Sequence, residues 1–548
     1  MIGTSVQIGA MPAASTLVLL DGVPITGRTD GRVDLSTMTT LGIDRVEVVT
    51  GPMAHFYGSG SAAGVVNFIT RHAKREAQVQ SSVSSIGTWQ TGIRVADPKM
   101  GNLYAERQFF DGWDPQPEGK RSRAWDQSTT FNVRHSGQVR RGSWLLRHHL
   151  SGSWDQIKDR GDRRSPYTAF ATDRWIETWR SRIQGDAWHP RWHITAAYDA
   201  ADRTIARYNR NLVERTQTLV PEAGNPDPNR FGDGMLRVAH LSAWRKLGSS
   251  PYQGRWVAAY HGQLQFIEAA RMNEPSMHQV QHGVLGEYDI KSNRRQIELG
   301  LRGQQIPGTL AWNPSLQWTE FRPNGQFRIN ASGGFRAPEL KERYLWFFDA
   351  SHQIAGNPNL KPERSRQASA SWTDRSRRQF EAQYVVLTDA IQLARQPGGT
   401  YTYVNLDSWS STMLSASQPW SVRGSQHEVH VQALWSRMGS ESWRPSPSLR
   451  LQSSVPLKNV TVSFQHQTQW GLWFWTEGSD ERLTANRLGL THHAQASVRW
   501  QYGIWSIVAS GHNLWNQSVA GLGGHSTGLG GLPMPGRHYR LSINLNWK

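Results

Sequence analysis

Beyond residue 75 the chain alternates apolar and polar positions with a period of two. The final segment, "HYRLSINLNWK", places Tyr539, Leu541, Ile543, Leu545 and Trp547 on one face, with His538, Arg540, Ser542, Asn544 and Asn546 on the other. "AQASVRWQ" sets Ala494, Ala496, Val498 and Trp500 against Gln495, Ser497, Arg499 and Gln501. "VTVSFQHQTQW" alternates Val460, Val462 and Phe464 with Thr461, Ser463, Gln465 and Gln467, and "SWLLRHHLSGSW" gathers Trp144, Leu146, Leu150 and Trp154 on one side. Successive side chains of a strand point to opposite faces, so this rhythm predicts strands with one dry and one wet face.

Three features turn the reading from a soluble sandwich or propeller to a transmembrane barrel. The polar face is rich in Gln, Arg, Asn and Ser, as a water-filled lumen requires. Trp and Tyr fall near segment ends, where an interfacial girdle would hold them. Connections such as "PEAGNPDPNRFGDG" (221–234) and "AGLGGHSTGLGGLPMPG" (520–536) are polar and turn-rich. A propeller would carry a repeat of ~40–50 residues, and none is present. At ~10 residues per membrane strand plus connections, the residues after 75 accommodate roughly 20–24 strands. Such a sheet must close on itself, because no backbone N–H can be left unpaired in lipid. The wide bore then needs a filler, and the first 75 residues are the candidate.

Composition sharpens this picture. The 548 residues are 37% hydrophobic, with 26 Trp and no cysteine. Mean hydropathy is −0.59. No run approaches the ~18 apolar residues of a membrane helix, so a helical membrane protein is excluded. The missing cysteines exclude disulfides, thiolate zinc sites and thiol catalysis. The net charge of +18 comes from Arg dispersed along alternating strands rather than clustered on one face. Nucleic acid is therefore not an expected partner, and anionic headgroups or an anionic substrate fit better.

Residues 1–72 have a different texture. "STLVLLDGVPI" is a strand ending in a glycine turn, and "IDRVEVVTGP" is a strand closed by Gly-Pro. Gly58, Gly60 and Gly64 follow, spaced GxGxxxG. A nucleotide site would need a helix after these glycines to face the phosphate. Instead "VVNFIT" follows, a strand-like run, so the glycines are expected to make a tight turn between strands. Other enzyme signatures also fail. His427 and Glu428 of "HEVH" lie on opposite faces of a strand, as do the adjacent His residues of "RHH" (147–149) and "THH" (491–493). No nucleophile elbow and no acid–base pair is present, and neither catalysis nor a cofactor is expected.

The stretch "TLVLLDGVPI…VDLSTM…IDRVEVVTGPMAHFYGSGSAAGVVNFITR" resembles the plug domain of TonB-dependent outer-membrane receptors. In the barrel, "GGFRAPELKERYLWFFDASHQIAGNPNLKPERS" (333–365), "YTYVNLD" (401–407), "SGHNLWN" (510–516) and "PMPGRHYRLSINLNW" (533–547) are similar to late-barrel patterns of the same family. The resemblance implies an all-β fold: an antiparallel barrel of about 22 strands in the outer membrane, with a small α+β plug in its lumen. It implies a plug at 1–72 and a barrel at 73–548. It also implies a monomer that takes up a scarce nutrient, a ferric siderophore first of all. Partners are then a small-molecule metal chelate, outer-membrane lipid and the inner-membrane TonB complex. A haem or cobalamin receptor, or a passive barrel fragment, is the alternative. The chain departs from the pattern at its front: the "LLDGVP" strand comes about fifteen residues in, with no signal peptide or TonB box before it. The expectation is a start codon placed too late or a truncated gene. At the other end Trp547 fills the family's terminal aromatic position, with Lys548 after it.

The resemblance also nominates residues. "TGRTDGRVD" (26–34) corresponds to an apical plug loop, where Arg28, Asp30 and Arg32 would contact an anionic ligand or else form a solvated turn. His352, between the "FRAP" and "NPNL" boxes, occupies the interval where haem-transporting relatives place an iron ligand, whereas His55 lies outside the apical loop. Gly51, Pro52, Tyr57, Gly58, Gly60, Gly64 and Asn67 make up the plug's turn and strand motif. Arg45 and Glu47 are expected to pair with the barrel wall or else to be solvated by lumen water. Arg336, Glu339, Asn357, Lys361 and Glu363 are expected to pair and turn at a strand–loop junction. No protein-bound metal is implied.

Overall fold

The computed structural model describes the chain except for residues 1–5, 7, 9–10, 12, 26–34, 36–37, 39–40, 52–53, 117, 119, 165–168, 221–233, 248–253, 270–271, 275, 307, 349–352, 397–398, 407, 472, 478–482, 488, 518–534 and 548. Its N-terminal part is a small four-stranded sheet: β1 (Thr16–Leu20), β2 (Val23–Pro24), β3 (Ile43–Thr50) and β4 (Gly64–Thr70), ordered β2-β1-β4-β3. β1 runs parallel to β4, with Thr16 opposite Gly64 and Leu20 opposite Phe68, while β3 is antiparallel to β4. The β1–β2 hairpin turns at Asp21-Gly22, both with positive φ, the pattern that a two-residue turn between twisted strands favours. Asp21 is held there by the Thr70 amide (2.8 Å) and hydroxyl (2.9 Å).

From Glu76 onward the long strands build one closed antiparallel sheet. Among the described residues it has 22 full strands, because Thr216–Leu219 and Arg444–Pro445 are short pieces beside strands that also pair with their next full neighbour. Closure comes from the last strand, His538–Trp547, which pairs antiparallel with Glu76–Ser84 and sets Trp547 opposite Ala77. No edge is left open, as a lipid environment demands.

The faces are inverted relative to a soluble fold. In the strand Thr88–Asp97, Ile93 and Val95 are each 50% exposed, while Arg94 between them is 1% exposed. Arg94 points into the lumen and engages Glu76 and Asn102 there. The same alternation places Trp179 and Ile183 outside, with Arg182 and Gln184 inside. Apolar side chains facing outward and a hydrogen-bonded polar network facing inward are what lipid outside and water inside select. No described helix is long and apolar enough to cross a membrane; this chain crosses with strands.

One rim carries short turns, such as Gly142–Ser143 between Gln127–Arg141 and Trp144–Arg163. The other carries long connections. One of these holds α2 (Leu340–Tyr344) and contributes to a small sheet of Trp346–Phe348, Gln353–Ala355, Tyr401–Leu406 and Ala390–Arg395. Short turns mark the periplasmic side of such barrels and long loops the outside.

Candidate functional site

The candidate site is the surface where the N-terminal sheet meets the inner wall. A short helix, α1 (Ala54–Tyr57), lies between β3 and the glycines. The tight turn expected there is therefore one helical turn followed by a glycine-rich bend, and the strand expected after the glycines is β4. Gly60 (φ +89°) donates its amide to the Phe335 carbonyl of the wall at 3.2 Å. Ser59 accepts from the Ala337 amide at 2.9 Å. Gly64 has φ +144°, and a Cβ there would lie 2.4 Å from the Val49 carbonyl oxygen, so only glycine allows β3 and β4 to meet at this point. Asn67 accepts from the Gly22 amide at 3.0 Å and ties β4 to the hairpin turn. Gly51 donates to Ala63 at 2.9 Å. Tyr57 packs edge-on against Phe56 with ring centroids 4.9 Å apart, and burial pushes its phenol pKa up.

The wall answers with buried polar side chains. Arg182 reaches the carbonyls of Pro24 (3.1 Å) and Val23 (3.4 Å) and lies 3.6 Å from Asp199. Arg302 reaches the Phe56 carbonyl at 3.4 Å while holding Gln304 at 2.9 Å. Ser365 donates to the Ala62 carbonyl at 2.9 Å. Apolar contact is local: Met11 and Ala63 pack on Val385, Leu387, Ala390, Trp409 and Met438. His55, on α1, presses on Gly300 of the wall. Its Nδ1 is buried without a partner, and desolvation with Arg302 nearby lowers its pKa to about 4.

The densest knot joins the "FRAP" and "NPNLKPE" boxes. Arg336 forks onto Glu363 through Nε (2.8 Å) and a terminal nitrogen (2.9 Å), and its other terminal nitrogen meets both oxygens of Glu342 at 3.0 and 2.9 Å. The Ile391 amide and the Ser15 hydroxyl complete Glu363, at 2.8 and 3.1 Å. Glu342 also caps α2 by accepting from the Glu339 amide at 2.8 Å. Nearby, Asn405 bonds Lys361 through both its amide and its carbonyl (2.8 and 2.9 Å), and Asn357 donates to the Tyr403 carbonyl at 2.9 Å. The boxes thus act as a junction between barrel, outer loops and plug. Glu342 was missed because "ELKERY" has the composition of a solvated helix.

A cavity of about 780 Å³ lies between the plug sheet and the wall. It runs from the short-turn rim at Pro98, His189 and Arg191 to Arg302, Arg336 and Pro338. His149 approaches Asp21 of the plug at 3.5 Å within it, and His193 approaches Asp186 at 3.6 Å.

Of the nominated residues, Arg28, Asp30, Arg32, His352 and Pro52 lie outside the described residues. Arg45 and Glu47 are described, and the pairing expected with the wall is corrected. Arg45 bonds Glu47 at 2.8 Å and Asp44 at 3.3 Å. β3 is the outermost strand of the plug sheet and its residues after Ile43 are exposed, so its nearest opposite charges are same-face and adjacent neighbours.

A closed barrel with lipid-facing apolar residues and a small sheet docked in its bore defines a plugged outer-membrane barrel. Comparison with known proteins agrees. Residues 2–65 match the TonB-dependent Receptor Plug Domain and residues 76–412 the TonB dependent receptor-like beta-barrel. The chain belongs to the TonB-dependent receptor family, whose members are outer-membrane receptors and transporters. It is 22% identical to the vitamin B12 transporter BtuB of Vibrio vulnificus (strain YJ016) over 430 residues, or 74% of this chain. The chain spans 64% of the length of that relative. Among solved structures, the siderophore receptor PirA of Acinetobacter baumannii superposes with a TM-score of 0.78 at 14% identity, covering 98% of this chain and 92% of that one. A mutant ferric enterobactin receptor, PfeA, of Pseudomonas aeruginosa gives 0.78 at 15%, covering 98% and 91%.

Proposed function

We propose that the protein takes up a ferric siderophore across the outer membrane by TonB-dependent active transport, as a monomer and without catalysis. The observation that carries this reading is how the plug is held. Its described polar attachments to the wall are few hydrogen bonds, mostly onto neutral backbone carbonyls, inside a polar bore. Water can replace such bonds at modest net cost, about 1 kcal/mol for an ordinary bond and up to about 3 where an Arg donates. A plug packed by a continuous apolar core could not shift so cheaply. In this reading a metal chelate is captured at the long-loop rim, the TonB complex works the plug from the periplasm, and the cavity beside β1, β2 and β4 marks where a path opens. Cobalamin is the second reading, because the sequence relative is a vitamin B12 transporter.

The test is growth of a strain lacking its own receptors, carrying the gene with its native upstream region. Ferric siderophores, haem and cobalamin are supplied in turn as the limiting nutrient, with and without TonB. Growth on a ferric siderophore that requires TonB supports the proposal. Growth on cobalamin alone moves the assignment to the second reading, and growth on none leaves a passive barrel.

A further inference from the structure

β3 crosses the bore as a chord. Just before its start Leu41 packs on Gly92 of the strand Thr88–Asp97, where a Cβ would come within 2.8 Å of the Leu41 side chain. Just past its end Gly51 abuts Gln367 of Glu363–Asp374, so closely that a Cβ would overlap the Gln367 side chain. One way round the barrel, the strands between these two walls stand beside β1, β2 and α1 and supply Arg182 and Arg302. The other way round, Gln379–Thr388, Trp409–Val422 and Ser425–Met438 are met by Met11 and Ala63. Five strands then remain before the sheet closes on Glu76–Ser84: Ser448–Leu457, Val460–Trp470, Leu490–Tyr502, Trp505–His512 and His538–Trp547.

That sector is exposed on both faces. In Leu490–Tyr502 the lumen-facing His493, Gln495 and Arg499 are exposed, and so are Val498, Trp500 and Tyr502 on the lipid face. Where the plug covers the wall only the lipid face is exposed, as with Trp179 and Ile183 against the buried Arg182 and Gln184. β3 matches this from the plug side. It pairs with β4 along one edge, and Val46, Val48 and Val49 are exposed inside the bore, Val48 by 58%. A strand open along its free edge, across from a wall open on its lumen face, leaves a water-filled gap between the two. The five strands of this wall contain no Asp or Glu. Their lumen face is built from amides and hydroxyls, such as Gln465, Gln495 and Ser497, and Gln495 donates to Gln465 at 2.9 Å. Arg450 and Arg540 are each the third residue of a strand that starts at the long-loop rim, and Arg499 lies three residues from the short-turn end at Tyr502. Arg540 bonds the neutral Ser82 and Gln90. At the margins Glu76 is taken by Arg94, while Asp44 and Glu47 of β3 share Arg45. The exposed Glu428 of Ser425–Met438 sets one negative charge against these three arginines.

We propose that this gap is a standing aqueous passage for small hydrophilic anions, open without TonB and without movement of the plug. Arginines lining a pore select anions, and conduction requires that they attract without trapping. Here they stand near both mouths with a neutral polar wall between them, so an anion is drawn in, meets no deep site and leaves. The inference goes beyond nutrient uptake. It needs neither a transported chelate nor the TonB complex, so failure of the growth test leaves it untouched.

The test places the full chain in planar bilayers, without TonB, across a potassium chloride gradient. A standing current is expected, with chloride preferred several-fold over potassium. Arg450→Gln with Arg499→Gln is expected to bring that preference close to parity while the current persists. The chain has no cysteine, so Gln495→Cys places a single thiol in the passage. A membrane-impermeant, anionic methanethiosulfonate is expected to attach there and cut the current. The same reagent should leave Ser332→Cys, buried on the plug-covered wall, unmodified and its current unchanged. Heat-modifiable gel migration checks that each variant is folded. The proposal is overturned if the folded full chain carries no current, which would mean that the gap is covered. It is also overturned if potassium is preferred, if the double variant keeps the parent's selectivity, or if Gln495→Cys is modified no faster than Ser332→Cys.

Discussion

Arg336 carries two carboxylates in a place from which water is nearly absent: its side chain is 3% exposed, that of Glu363 1% and that of Glu342 9%. The excess negative charge is tolerable because the Ile391 and Glu339 amides and the Ser15 hydroxyl all donate into the cluster. Removing the guanidinium while leaving the acids strands two buried charges, a change that costs roughly 3–5 kcal/mol. Arg336→Ala is therefore expected to lower the thermal midpoint in detergent, followed by circular dichroism. Arg336→Lys should recover only part of the loss, because a single ammonium cannot reproduce the two-sided fork. An unchanged midpoint in Arg336→Ala would mean that the cluster adds nothing to the junction. Glu363 also receives Ser15, so the same variant is expected to make residues 13–25 more accessible to protease. At this scale the sequence indicated that Arg336 and Glu363 pair somewhere at a strand–loop junction, since both sit in recognisable boxes, but not that each is the other's partner. It could not indicate Glu342, whose burial depends on a fold-back of the loop rather than on its neighbours in sequence.

Strands were legible as elements because an alternation sustained over ten residues leaves no other regular structure. Their lengths were not. The strand seen in "SWLLRHHLSGSW" continues to Arg163, and past Trp154 its alternation dissolves among charged residues because the lipid ends there. The small outer sheet left no periodic trace either: Gln353–Ala355 joins Tyr401–Leu406 through only two registered pairs. α1 was missed for a related reason, since four residues are barely one helical turn. That helix brings a testable pH dependence. His55 is neutral in the docked plug, with its pKa lowered to about 4 by burial and Arg302, against about 6.5 when free. The undocked state binds the extra proton between these values, so docking is at full strength above about pH 6.5 and is lost progressively towards pH 4. Amide hydrogen exchange over residues 54–61 is expected to speed up, relative to β4, as pH falls through that window after correction for intrinsic rates. His55→Gln should flatten the dependence. A response that survives the substitution would assign the titration to another group.

Closure is a property of the whole molecule that no local pattern encodes. The strand ending at Trp547 finds its partner in Glu76–Ser84 at the far end of the chain, and it is the demand that every backbone donor in lipid be paired that selects this contact over an open edge. The same closure fixes the bore, because 22 strands enclose a lumen too wide for wall side chains to fill. The plug supplies what the wall cannot, and its contacts are confined enough for the two parts to separate as domains. Deleting residues 1–72 is therefore expected to leave a barrel that still inserts and shows heat-modifiable migration, since the strand-to-strand ladder from Glu76 onward loses nothing. In planar bilayers the deleted form is expected to conduct several-fold more than the full chain, with the current carried by water and ions through the freed lumen. Equal conductance would mean that the sheet docked against Phe335, Ala337 and Ser365 does not obstruct the bore. Failure of the deleted form to insert would instead make the plug part of the barrel's folding core, joined through Ser15, Met11 and Ala63, and would move the functional boundary away from residue 72.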